Sequence, residues 1–249
     1  MAAPYKPRHV TSGTRTFFLE HLERAAATKS PAARNVERAV GELLIQHAGL
    51  AEKVGKVETL AGYGFLNDAG RTDARRKALG DVYKLRIEVQ RALEKNAHAL
   101  NANAPKLKSR DGHDAAAELR DREIRDLVRS WPEDKRSRLD SYSPELVDAI
   151  VYAPAELSGL MPAVHEELRK NIIEKQSPGK YAAHAAGVEA LTWADEALRM
   201  IDKDLTEAGE FKPHEYDAHV REMAARPDVK TFPDLVDVAT GLPAANVIG

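Results

Sequence analysis

Residues 177–208 read SPGKYAAHAAGVEALTWADEALRMIDKDLTEA. Within them Tyr181, His184, Val188, Leu191, Leu198 and Leu205 follow at spacings of three, four and seven, which puts them on one face of a helix. Ser177-Pro178 supplies a start signal. Serine caps the free amides of a first turn, and proline at the first helical position forfeits no hydrogen bond.

The same pattern recurs along the chain. Seven prolines stand where a helix could begin: Pro31, Pro132, Pro144, Pro162, Pro178, Pro213 and Pro233. Three follow a serine directly, at Ser30, Ser143 and Ser177. After Pro31 come Val36, Val40, Leu43, Leu44 and His47; after Pro162 come Val164, Leu168 and Ile172. The longest helix is predicted from about Asp73 to about Leu100, roughly 40 Å at ~1.5 Å per residue. Its apolar stripe is Leu79, Val82, Val89, Leu93 and Leu100, widened by Tyr83 and Leu85. Alanine occurs 40 times and aromatics make up only 6%, a balance that favours helix over strand. The expected fold is all-α: about nine amphipathic helices, one long helix in the N-terminal half and a C-terminal helical bundle.

The 249 residues are 43% hydrophobic, enough for a core. The absence of cysteine excludes disulfides, iron–sulfur clusters and thiolate zinc sites. Met1 to Phe18 holds no apolar stretch long enough for a signal peptide. Leu146 to Val164, the longest apolar region, is broken by Asp148 and Glu156, so no membrane span is expected.

Residues 101–112, NANAPKLKSRDG, read as a linker. A boundary there divides the charge. Residues 1–110 hold 20 basic and 11 acidic side chains, net +9; residues 111–249 hold 17 and 28, net −11. The expected parts are an extended basic arm (1–12), a basic helical part with the long helix (13–105), an acidic helical bundle (111–230) and an apolar tail (231–249). Three readings fit the asymmetry. The basic half faces nucleic acid or an acidic protein; neighbouring copies attract head to tail; or the halves neutralise each other within one molecule.

The tail, TFPDLVDVATGLPAANVIG, has no basic residue. A short helix from Pro233 to Thr240 is expected, ended by Gly241. Phe232, Leu235, Val236, Leu242, Val247 and Ile248 then need a surface, on their own domain or on a neighbour. They are partner-binding candidates. So are Arg71, Arg75, Arg76 and Lys77, which could hold phosphate or acidic side chains, or form a solvated face paired with Asp68, Asp73 and Asp81.

Patterns for chemistry are sparse. In His214-Glu215-Tyr216-Asp217-Ala218-His219 the histidines are five apart, where the zincin motif needs four. His214 with Asp217, or Glu215 with His219, would still share a face. His113-Asp114 is a pairing that metal-dependent phosphohydrolases also use, with His47, His98 and His165 as further ligand candidates. Gly62-Tyr63-Gly64 lacks the strand and the Lys-Ser/Thr of a phosphate loop. No catalytic, cofactor or metal site is assigned, and no cofactor is expected.

Residues 119–160 read LRDREIRDLVRSWPEDKRSRLDSYSPELVDAIVYAPAELSGL. This stretch resembles helical proteins of unknown role found among the structural genes of tailed bacteriophages and prophages. The resemblance implies a virion or assembly component, in the virion or the host cytoplasm, and transfers no site residue. From the residues alone the stretch is three amphipathic helices. Leu119, Leu127, Val128 and Trp131 face a core, with Trp131 mostly buried; then come Leu146, Ile150 and Val151, then Leu157 and Leu160. The expected function is a non-enzymatic structural or assembly protein whose partners are other copies or other virion proteins. The alternatives are a nucleic-acid-binding protein using residues 1–110 and a metal-dependent hydrolase.

Overall fold

A computed structural model describes residues 12–110, 112, 114–138 and 142–244. Among them all regular structure is helical, apart from one isolated bridge between Val236 and Pro243. The helices are more numerous than the nine expected, because several are single turns. None is long and apolar enough to cross a membrane.

The chain forms two compact units: residues up to 103 together with those from 182 onward, and residues 104–181. One border falls between residues 103 and 104, beside the expected linker, and the acidic bundle expected over 111–230 is divided between the two units. Its second half belongs with the N-terminal helices.

The first unit holds α1 (Ser12–Ala27), α2 (Pro31–Ala48), α3 (Leu50–Glu58), a 3-10 turn (Tyr63–Phe65), α4 (Asp68–Ala78) and α5 (Gly80–Ala102). Most of α11 (Lys180–Ala208) and all of α12 (Pro213–Ala224) complete it. The single long helix expected from Asp73 is broken at Leu79, whose ψ is 0°. Gly80 follows, and glycine costs about 1 kcal/mol in a helix interior. The fully buried Leu79 side chain anchors the break in the core.

The longest helix is α11, of 29 residues. Its buried face is offset from the predicted stripe. Leu198 and Leu205 are buried, yet Val188 is exposed, and small residues fill the contact: Ala186, Gly187, Ala190, Ala194 and Ala197. They let helices approach closely. A Cβ on Gly187 would lie 2.9 Å from a Leu100 methyl and 3.3 Å from Ala32. Trp193 is half-buried, its ring 5.3 Å from that of Phe17.

The second unit holds α6 (Ala115–Arg129), α7 (Glu133–Arg136), α8 (Pro144–Val151), α9 (Ala155–Ser158) and α10 (Pro162–Gln176). Val128, Tyr142, Ile150, Val151, Leu160 and Leu168 form its core. Leu119 and Leu127, expected inside, are exposed; the inward positions of α6 are Asp121, Arg125 and Val128. Trp131 is partly buried against the core of this unit, beside Tyr142 and under the Lys135 ammonium.

Candidate functional site

The predicted arginine cluster lies on α4, and the fold uses most of it internally. The chain leaves α11 through Gly209 and Glu210. The Phe211 amide donates to the Thr206 carbonyl (2.9 Å) and the Glu210 amide to Glu207 (3.1 Å). That is a Schellman closure, with Glu210 at φ 52° where glycine is usual. The conformation delivers the Glu210 carboxylate to Thr72 Oγ1 (2.6 Å) and to Arg75. Arg75 also pairs with Glu58 (2.5 Å) and donates from Nε to the Tyr63 hydroxyl (3.1 Å). Burial opposes its charge, but Glu210, Tyr63 and Glu58 outweigh burial and raise its pKa.

Arg76 closes the other side. It donates to the Gly209 carbonyl (2.9 Å) and the Glu210 carbonyl (3.1 Å), pairs with Glu215 (3.3 Å), and lies 3.8 Å from the centre of the Phe211 ring. A cation at the C-terminus of α11 also complements the helix dipole. The Lys212 amide, followed by Arg76, holds the Glu215 carboxyl below its ordinary pKa. Arg71 donates to the Gly64 carbonyl (3.2 Å), while Lys77 is exposed. These four residues do not converge on one anion. Arg75 and Arg76 clamp α4 to the α11–α12 connection.

The clamp has a second effect. Arg71 and Arg75 pin the 3-10 turn that Gly62 opens at φ 98°. The Phe65 amide donates to the Gly62 carbonyl (3.0 Å), and Asn67 caps α4 by accepting from the Gly70 amide (2.8 Å). On this braced turn Phe65 is 96% exposed and Leu60 63%, with Leu66 also exposed. Of the glycine pair, Gly62 serves the turn geometry. Sequence reading passed over these three apolar residues. The available signal was large apolar side chains in a glycine-rich connection with no helical face to join.

The tail departs from expectation. No helix forms from Pro233 to Thr240; the chain is irregular to Asp237, with a bridge at Val236, and residues 238–240 make a turn closed by the Gly241 amide on the Asp237 carbonyl (2.8 Å). Asn35 on α2 explains why. Its Oδ1 accepts from the Leu235 (2.9 Å) and Val236 (3.0 Å) amides, and its Nδ2 donates to the Val236 carbonyl (2.8 Å) and to Asn96 (2.9 Å). Asn96 donates in turn to Asp234 (2.9 Å), which pairs with Lys95 (2.5 Å). Phe232 packs on the core beneath Arg38, and its amide donates to the Glu88 carbonyl (3.1 Å). Val236 is buried, Leu235 half-buried and Leu242 exposed. Val247 and Ile248 lie outside the described residues.

The histidines sit apart. His47 meets Asp204 at 3.1 Å in the core of the first unit, and His165 meets the Ala153 carbonyl at 2.9 Å. His98, His214 and Asp217 are exposed. His219 packs against Tyr83 and Phe211, and burial lowers its pKa. Asp114 caps α6 through the Ala117 amide (2.9 Å), while His113 lies outside the described residues. Among the described residues no three histidine or carboxylate side chains gather as a metal site.

The charge division dissolves in three dimensions. The first unit carries 23 basic and 24 acidic side chains, the second 14 and 15, so each is net −1. Acidic α11 and α12 neutralise the basic N-terminal helices within one unit, as in Arg86–Asp202 (2.6 Å). Compared with protein-family models, curated proteins and solved structures, the chain matches none significantly.

Proposed function

We propose that this chain is a non-enzymatic helical structural or assembly protein that acts through protein–protein contacts with further copies of itself or other proteins of the assembly. The resemblance of residues 119–160 points to a tailed-bacteriophage particle as the setting. One observation carries the reading: Phe65 is almost wholly exposed on a turn held by two arginines and a helix cap. A large aromatic ring kept in water forgoes roughly 25 cal/mol per Å² of burial, and aromatic side chains, Phe included, are enriched at protein interfaces. The nucleic-acid alternative through residues 1–110 is the weaker reading, because acidic residues from 182 onward share a compact unit with that half.

The test is solution mass across a wide range of protein concentration. The wild type is expected to associate, and Phe65→Ser to shift towards monomer with unchanged helical content. A wild type that stays monomeric throughout would overturn self-association through this turn.

A further inference from the structure

The second unit contains a cleft of about 410 Å³, within the range of small-ligand sites. Two of the charged side chains that line it are buried. Arg125, its side chain only 7% exposed, donates to the Ala149 carbonyl (3.1 Å) and pairs with Glu118 (2.5 Å). Asp121, 3% exposed, pairs with Arg110, whose guanidinium stands 5.2 Å from the centre of the Tyr152 ring. Pro154 and the half-exposed Leu157 form an apolar wall.

Burying a guanidinium is costly unless an anion pairs with it. Here the anion that pairs with Arg125 comes from the rim: the Glu118 side chain is 58% exposed. The two bonds of Arg125 use two of the five N–H donors a guanidinium offers. An incoming carboxylate can therefore replace Glu118 on Arg125, and carboxylate–guanidinium pairing is among the stronger charge-assisted contacts. An apolar group attached to it would lie against Tyr152 and Leu157, an advantage Glu118 does not have.

We infer that this cleft binds an organic carboxylate bearing an aromatic or branched apolar group, with its carboxylate on Arg125 and Glu118 displaced to solvent. The site does not involve the Phe65 turn, so the two proposals stand or fall separately.

The test titrates the full-length chain with sodium phenylacetate while NMR follows the Leu157 methyls and the Tyr152 ring. Phenylacetamide is the neutral control, and acetyl-Leu-Glu-Phe-amide is a second arm that distinguishes a peptide side chain from a free acid. Saturable shifts are expected with at least one carboxylate and not with the amide. Glu118→Gln, a rim change, should tighten carboxylate binding several-fold by removing the competing anion, and Arg125→Lys should weaken it several-fold. A purely structural Glu118–Arg125 pair would show no gain in Glu118→Gln. If neither carboxylate gives saturable shifts in wild type or Glu118→Gln, or if phenylacetamide binds equally well, the proposal is overturned.

Discussion

Lys29 and Glu210 share a left-handed backbone, at φ 62° and 52°, a conformation that costs an L side chain roughly 1–2 kcal/mol. What their side chains do there differs. Lys29 is exposed in the α1–α2 turn, whereas Glu210 binds Thr72 and Arg75. Lys29→Gly is therefore expected to raise stability by about 0.5–1 kcal/mol, read as a higher urea midpoint at unchanged m. Glu210→Gly relieves the same strain but loses the clamp, and is expected not to stabilise. A third residue reports pH. Burial, with Arg76 nearby, lowers the pKa of His219, while Glu222 raises it. The folded state then prefers the neutral ring, so stability is intact above the unfolded pKa of about 6.5. It falls as pH drops through that value towards the folded one. Urea midpoints between pH 7 and pH 5 should fall less for His219→Gln than for wild type; equal slopes would remove His219 as the cause.

At the scale of elements, the tail shows how a buried side chain selects backbone. Asn35 satisfies two amides and a carbonyl of residues 235–236; a helix from Pro233 would have paired the Val236 amide and carbonyl internally but left the Leu235 amide without a partner in its first turn. Asn35→Leu keeps the size but strands those groups, which should cost about 1–3 kcal/mol and speed proteolysis within residues 231–244. Unchanged stability and cleavage would mean that Phe232 and Val236 alone hold the segment. The same case marks what sequence could tell. Helix starts at Ser30-Pro31 and Ser143-Pro144 were legible, because the cap is local: Ser30 accepts from the Ala33 amide and Ser143 from Leu146. Ser177-Pro178 misled by two residues, since Gly179 at φ 76° makes a turn and α11 begins at Lys180. Pro233 misled altogether, because its competitor stands some two hundred positions away in sequence. Asn35 and Asn96 on apolar helix faces were the readable warning. The inward Asp121 and Arg125 of α6 follow the same logic: Glu118, seven residues before Arg125, shares its helix face, but Arg110 and the Ala149 carbonyl lie outside α6, where spacing within one helix cannot reveal them. The Phe65 turn stayed hidden because its bracing arginines looked like a binding patch.

For the whole molecule, connectivity decides which fragment can stand alone. A division at residue 110 follows charge and linker composition, but it cuts through one core. The helices before residue 103 meet α11 in the Gly187 contact with Leu100 and Ala32, in the His47–Asp204 pair and in the Arg86–Asp202 pair. A fragment of residues 1–110 would leave the apolar faces of α2 and α5 uncovered and the N-terminal half at net +9. It is expected to be poorly helical or aggregated. The opposite cut respects the core. Replacing residues 104–181 by a short Gly/Ser linker removes the second unit and keeps every contact just named. Leu100 and Gly187 already touch, so the ends to be joined are close. That variant is expected to stay helical by circular dichroism and to unfold in a single urea transition, with a smaller m-value in proportion to the surface lost. Two outcomes separate the alternatives. If the 1–110 fragment unfolds cooperatively while the linker variant does not, the boundary near residue 110 is the true domain border, and the +9 charge of the N-terminal half returns as a free surface. If the linker variant alone is cooperative, the second unit is an insertion in a charge-neutral helical body. In that case the contact proposed for the Phe65 turn would rest on shape and apolar burial more than on long-range attraction.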